Sequence, residues 1–136
     1  MDRRNIARWA LGVIAVLMAP AGIQAAFAPR AFFDDFPMGR GWISVGDAAY
    51  DEHLVRDVGA LFLALIVVTA WAVWRDEALT GVAIAWLVQG VLHFAYHVGH
   101  LDGLDGTDQF FLVLSLVLVP VLAVIALWAS TTSAET

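Results

Sequence analysis

The sequence predicts an all-α fold, a bundle of four transmembrane helices within a single domain of residues 1–136. Of the 136 residues, 61% are apolar, only 15% are charged, and the mean hydropathy is +0.79. A soluble domain is about half apolar and a quarter charged, so this composition argues against a soluble enzyme, a nucleic-acid-binding protein and a disordered chain. The absence of cysteine excludes disulfides and thiolate metal sites.

Four apolar runs divide the chain, at residues 6–28, 54–74, 79–100 and 110–129. Each contains about 20 residues, which at a rise of about 1.5 Å per residue crosses a hydrocarbon core of roughly 30 Å. Lipid offers the backbone no hydrogen-bond partner, so each run is predicted to be a helix. A short turn separates the second and third runs, and we expect these two helices to be antiparallel neighbours.

The first run, residues 6–28, also fits a second interpretation. Its basic start, its apolar middle and the Ala26-Phe27-Ala28 sequence are typical of a cleavable signal peptide. Pro29 would directly follow the cleavage site and disfavours cleavage there. The run is therefore interpreted as a retained membrane helix.

Two loops are predicted on the outer side of the membrane. The outer loop of residues 29–53 mixes aromatic and charged side chains, which is typical both of an amphipathic connector and of a lid in the membrane interface. In the loop before the fourth run, we expect Gly103 to end the third helix. Thr107 or Asp108 is expected to cap the fourth.

The distribution of arginines predicts the orientation of the chain. Four arginines lie on the side of the two termini, whereas the other side carries nine acidic residues and three arginines. Because the cytoplasmic segments of membrane proteins carry an excess of arginine and lysine, both termini are predicted to be cytoplasmic (N-in/C-in) in a bacterial plasma membrane. An inner aromatic belt at one depth agrees with this orientation. Its members are Trp9, Trp71, Trp74 and Trp128.

Ionisable side chains are concentrated at the outer ends of the second and third runs. Placing such side chains within a membrane helix costs free energy, and they are usually functional. In the second run, Glu52 and Arg56 are four residues apart, as are His53 and Asp57, so each pair shares one helix face. In the third run, three histidines follow the spacing i, i+4 and i+7, with a glutamine one turn below. These residues are His93, His97, His100 and Gln89.

If these two faces meet, the side chains share one pocket near the outer surface. Imidazoles four residues apart bind one metal ion, and a carboxylate from a facing helix completes the shell. Histidines on different helices also ligate haem iron. The predicted cofactor is thus an Fe, Zn or Cu ion, or haem b. The predicted ligands are His53, Asp57, His93, His97 and His100. The residues predicted to orient them are Glu52, Arg56, Gln89 and Tyr96.

Three strings carry a resemblance to a known family. They are FDDFP at 33–37, DEHLVRDVGA at 51–60 and HFAYHVGHLDGLD at 93–105. Together they resemble a family of small uncharacterised actinobacterial membrane proteins, which is loosely similar to DoxX-like four-helix proteins. The likeness extends from about residue 30 to the end of the fourth helix. It implies a membrane location and a four-helix topology, and it implies no activity.

Three functional hypotheses follow. The first is a metal-binding or haem-binding membrane protein, an oxidoreductase if it is an enzyme. The second is a binding module or isomerase for an apolar small molecule such as a sterol, quinone or lipid. In that case His97 and Asp57 act as acid and base, and the cavity is lined by Trp86, Phe94 and Tyr96. The third is an accessory subunit of a larger membrane complex or a homo-oligomer. A purely structural polar network is the remaining interpretation of the same residues.

Overall fold

A computed structural model describes residues 2–45 and 49–131 of the chain, and all regular secondary structure in these two ranges is helical. The elements are α1 (Arg3–Phe27), α2 (Pro29–Asp35), α3 (Glu52–Arg75), α4 (Leu79–Val98) and α5 (Gly106–Thr131). Within the predicted outer loop, residues 46–48 lie outside the described residues, as do residue 1 and the tail from residue 132.

Four of the described helices, α1, α3, α4 and α5, are long and apolar enough to cross a membrane. The predicted all-α class is therefore confirmed, with four helices that have the length and hydropathy expected of membrane spans, and the apolar helix surfaces fit a lipid bilayer. The short helix α2 lies within the predicted outer loop. Phe32 and Phe33 are buried on α2, and Phe32 packs against Ala21 and Ala25 of α1.

The residue predicted to end α4 and the residues predicted to cap the start of α5 were wrong. Helix α4 ends at Val98 with Gly99 as its cap, whereas Gly103 lies in the following turn with a φ of 90°. Helix α5 begins at Gly106, and the carboxylate that caps it belongs to Asp105. One Asp105 oxygen accepts a hydrogen bond from the backbone nitrogen of Asp108 at 2.8 Å. An aspartate just before a helix satisfies a backbone N–H that has no partner within the helix.

Two close helix pairs make up the bundle. Helix α1 packs along α3 and α4 packs along α5, while α3 and α4 meet much less extensively despite the turn that joins them. A Cβ atom on Gly59 would lie 2.3 Å from the Ala26 backbone nitrogen, and one on Gly90 would lie 2.9 Å from Cδ of Pro120. Small residues at these crossings allow the backbones to approach, as is common between membrane helices.

The bundle has two different ends. We call the end that carries the chain termini and the α3–α4 turn the terminal end, and the end that carries α2 and the α4–α5 connection the loop end. The main apolar core lies toward the terminal end, where Trp86 is fully buried and its Nε1 donates a hydrogen bond to Thr69 Oγ1 at 2.8 Å. The α3–α4 turn is held by Arg4, whose Nε donates to Asp76 Oδ2 at 2.6 Å. Apolar packing and an ion pair therefore join the elements of the terminal end.

Candidate functional site

Four ring side chains follow one another along the loop end of α4. His93 and His97 contact edge to face with ring centroids 4.6 Å apart, and Tyr96 stacks on His100 at 4.3 Å. Tyr96 also meets His97 edge to face at 5.3 Å. We call these four residues the histidine ladder. Of the three histidines predicted on one helix face, His93 and His97 lie on α4, whereas His100 follows the end of the helix at Val98. All three take part in one continuous set of contacts with Tyr96.

The position of the histidine ladder follows from the helical repeat of α4. Val82, Trp86 and Gly90 form its buried stripe, and His93 and His97 continue this stripe at the loop end, where both are only half-buried. Residues three and four apart share one helix face, so the apolar stripe is replaced by imidazoles beyond Gly90. These two histidines therefore lie on the side of α4 that faces the bundle.

The outer part of the histidine ladder is accessible. Tyr96 is 61% exposed, and His100 is exposed beside it. The Nδ1 atom of His100 lies 2.7 Å from the backbone oxygen of Tyr96, which orients the imidazole at the end of the helix. Gln89 is half-buried one turn below His93. The histidine ladder therefore leads from a half-buried position to the exposed loop end.

A second group of ionisable side chains lies on the first two turns of α3. His53 Nε2 and Asp57 Oδ2 are 3.3 Å apart, and their side chains are 88% and 58% exposed. Arg56 Nε donates to Glu52 at 2.8 Å, and Arg56 Nη1 donates to the backbone oxygen of Ala26 at 2.7 Å. Since Ala26 is in the last turn of α1, where carbonyls lack partners within the helix, Arg56 joins α1 to α3.

The structure does not bring the α3 group and the histidine ladder together. Among residues 2–45 and 49–131, no group of three or more His, Cys, Asp or Glu side chains is placed to hold one metal ion. The shared pocket expected from the sequence is therefore not formed, and His53 with Asp57 stays apart from the ladder.

The packing of α3 explains this separation. Gly59 is closely packed against α1, and Val55, one turn earlier on the same face, packs on the cluster formed by α1 and α2. His53 and Asp57 each lie two residues from Val55, and two residues turn a helix by about 200°. Their side chains therefore lie on the exposed side of α3.

The three aromatic residues expected to line an apolar cavity have different surroundings. Trp86 is fully buried in the core, Phe94 is half-buried, and Tyr96 belongs to the exposed part of the histidine ladder. Trp86 is held in place by its hydrogen bond to Thr69 and by a stacked contact with Phe62, at 6.5 Å between ring centroids. Its ring therefore contributes to helix packing at the centre of the bundle.

The structure also reveals ties between the loops that the sequence did not suggest. The Arg40 guanidinium pairs with the carboxylate of Asp108 at the start of α5. The Arg30 guanidinium lies over the ring of Tyr50, 4.8 Å from its centroid. Alternating aromatic and charged residues were the only signal for such contacts. The described part of the segment after α1 is therefore packed against the bundle, which is compatible with both interpretations open from its sequence.

The chain belongs to the family described as Domain of unknown function (DUF4345), whose model matches residues 6–130. No curated protein and no solved structure matches the chain. The resemblance to an uncharacterised family is confirmed at this level, while the actinobacterial origin and the likeness to DoxX proteins stay predictions. The family description names no activity, so the functional argument depends on the geometry of the two ionisable groups.

Proposed function

We propose that this multi-pass membrane protein binds a divalent transition-metal ion at the histidine ladder, with His93 and His97 as its ligands. The observation that carries the proposal is the contact of these two imidazoles, 4.6 Å apart between ring centroids, on successive turns of a membrane helix. Imidazoles at positions i and i+4 are a common way for helices to bind zinc, copper or iron.

The position of the pair within a span supports a functional role. Ionisable residues inside a membrane helix are expensive and are kept mostly where they bind or relay ions. If this face of α4 served only for packing, apolar residues would continue the buried stripe more favourably than imidazoles. Two imidazoles at these positions therefore favour ligand binding over a purely structural network.

The number of protein ligands indicates what the site does. Two histidines leave two or more positions of a tetrahedral or octahedral ion for water or a small ligand. Sites with open positions are typical of catalysis, where the ion activates water or carries electrons, whereas structural sites are closed by protein side chains. If the ion is redox-active, oxidoreduction is the reaction class that fits.

An ion fits this arrangement better than a haem. Haem iron with two axial histidines lies between imidazoles on opposite sides of the porphyrin. His93 and His97 contact each other on one helix, and His53 lies on the exposed side of α3. We therefore favour a metal ion over haem b as the cofactor.

We further infer that the histidine ladder lies near the outer surface of a bacterial plasma membrane, with both termini in the cytoplasm. The support is the excess of arginine at the terminal end, where Arg3, Arg4, Arg8 and Arg75 lie. Positive charge at one end of a bundle is the main determinant of its orientation. Metal or substrate would then reach the ladder from outside the cell.

The test is a metal titration of the full chain, purified in detergent and stripped with a chelator. Isothermal titration calorimetry with Zn²⁺, Ni²⁺ and Cu²⁺ is expected to give about one ion per chain. His93→Ala and His97→Ala should each weaken binding by at least about tenfold, because even groups outside the ligand shell are worth that much. The double variant should abolish it.

The matched control is Leu92→Ala, a truncation of the exposed neighbour of His93, which should bind like the parent chain. His53→Ala shows whether α3 takes part. If neither His93→Ala nor His97→Ala changes the affinity, the metal site is elsewhere or absent and the proposal is wrong. Apolar molecules that copurify at one per chain without metal would instead support the sterol, quinone or lipid hypothesis.

A further inference from the structure

A groove runs along the exposed side of α1, starting at the terminal end and therefore far from the histidine ladder. Its volume is about 520 Å³, within the range of roughly 300–1,000 Å³ typical of ligand-binding pockets. We call this feature the α1 groove, and its lining includes Asn5, Arg8, Trp9, Gly12, Leu17 and Val73.

The α1 groove is open at Gly12, because glycine has no side chain to fill the space. A Cβ atom on Gly12 would meet no heavy atom within 4 Å, so this helix position is an open notch. Trp9, one turn earlier, is 67% exposed and forms a wall. The lining is almost entirely apolar apart from Asn5 and Arg8. Such a surface fits a hydrocarbon chain.

The length of the α1 groove matches one leaflet of a bilayer. Asn5 and Leu17 are twelve residues apart, which is about 18 Å along a helix. Half of a hydrocarbon core of roughly 30 Å is about 15 Å. An acyl chain that starts at the membrane surface near Asn5 would therefore end near Leu17, at the middle of the membrane.

The polar end of the α1 groove carries a positive charge. Arg8 Nε donates a hydrogen bond to the backbone oxygen of Val73 at 3.0 Å, which fixes the guanidinium beside the groove. The other arginines of this end have partners, since Arg4 pairs with Asp76, Arg75 with Glu77, and Arg3 lies over the ring of Trp128. Within residues 2–45 and 49–131, Arg8 has no carboxylate partner, so its charge is available to an anion.

We propose that the α1 groove binds an anionic phospholipid, with one acyl chain against Trp9 and Gly12 and the phosphate at Arg8. A guanidinium is always charged and presents a fork of donors that matches phosphate oxygens. Basic pockets on membrane helices recognise anionic head groups in the same way. The site binds one lipid and selects its charge.

The test uses native mass spectrometry of the full chain with phosphatidylglycerol and phosphatidylcholine that carry the same acyl chains. The parent chain should bind one phosphatidylglycerol in preference to phosphatidylcholine. Gly12→Leu fills the notch and should reduce binding of both lipids. Arg8→Gln keeps a donor side chain without the charge, and it should reduce the preference for phosphatidylglycerol by about fivefold, the effect of one arginine near an anionic surface.

Two matched controls accompany these variants. Gly81→Leu adds the same side chain at an open helix position of α4, near the terminal end and outside the α1 groove. Arg3→Gln removes a charge from the same end of α1. Both should bind lipid like the parent chain. Equal binding of the two lipids by the parent chain, or equal losses in Gly12→Leu and Gly81→Leu, would overturn the proposal.

A second copy of the chain is the competing occupant of the α1 groove. If Gly12→Leu dissociates a dimer in native mass spectra while lipid binding is unchanged, the groove is an interface between copies and the proposal is wrong. The metal titration at the histidine ladder reports on the opposite end of the bundle. Failure of the lipid site is therefore distinguishable from failure of the metal site.

Discussion

The terminal end and the loop end use the same face of α4 for different purposes. Toward the terminal end, Trp86 lies fully buried on this face. The other large, fully buried side chains of the described core come from neighbouring helices and include Leu11, Ile14 and Thr69. At the loop end, the face continues with His93, which is only half-buried. The same face of α4 is therefore fully covered by its neighbours toward the terminal end and only partly covered at the loop end.

Two of the ion pairs differ in what they join. Arg4 and Asp76 are 72 positions apart, so their ion pair joins α1 to the α3–α4 turn. The His53–Asp57 pair on α3 joins residues one turn apart and connects no second element. Exposed ion pairs contribute little to stability, and a pair within one helix does not hold two elements together. The α3 pair is therefore not needed to hold the bundle together.

Trp86→Ala is the strongest test of this comparison. Removal of a fully buried tryptophan leaves a cavity and strands Thr69 without the indole donor, at a cost of about 3–5 kcal/mol in the free energy of unfolding. Trp74→Ala, a truncation of an exposed tryptophan in α3, should cost much less. Unfolding of the full chain in mixed SDS and detergent micelles measures both. Similar losses for the two variants would mean that Trp86 does not belong to a tightly packed core.

Gly59→Ala is expected to have the next largest effect. Its Cβ would lie 2.3 Å from Ala26 N and 2.7 Å from Ala25 C, and backbone atoms cannot yield as a side chain can. Helices α1 and α3 must separate, which we expect to cost about 1–3 kcal/mol. Gly81→Ala, at an open helix position, should be neutral or stabilising. A neutral Gly59→Ala would show that the two helices do not pack this closely.

The sequence predicted the spans well because length and hydropathy alone determine them in lipid. It could not predict the helix partners, since lipid tails are as apolar as the helices and hydrophobicity does not select between neighbours. The partners depend on local shape, such as Gly59 against Ala26 and Gly90 against Pro120. A short turn suggested that α3 and α4 pack along their length, but shape directs α3 toward α1.

The same reason explains the outcome for the candidate site. Helical spacing placed His93 and His97 on one face of α4, because that face depends only on positions along one helix. His100 lies beyond the end of the helix at Val98, where this spacing no longer applies. Helical spacing also correctly paired His53 with Asp57. Whether the two faces meet depends on the rotation of α3 against α1, which Val55 and Gly59 determine by packing. No pattern within α3 contains that information.

Asp57→Asn distinguishes between a metal site shared by α3 and α4 and a metal site on α4 alone. We expect the bundle to stay folded, because the carboxylate is exposed and paired within its own helix. Metal affinity should change by less than about twofold, the coupling typical of groups that share no partner. Calorimetry beside Leu63→Ala, a mid-helix apolar control, measures this. A tenfold loss specific to Asp57→Asn would restore the shared site that the sequence predicted.

Arg40→Gln should have the smallest effect on global stability and a clear local one. Arg40 pairs with Asp108, whose side chain is only 14% exposed, so this contact ties the connector after α2 to the start of α5. One partly exposed ion pair contributes within about 1 kcal/mol, so global unfolding should barely change. Backbone hydrogen exchange over residues 36–45 should become faster, because local opening no longer has to break the tie. Arg75→Gln, which removes the Arg75–Glu77 pair at the terminal end, should leave this segment unchanged. If Arg40→Gln exchanges like the parent chain, contacts other than the Arg40–Asp108 pair hold this segment against the bundle.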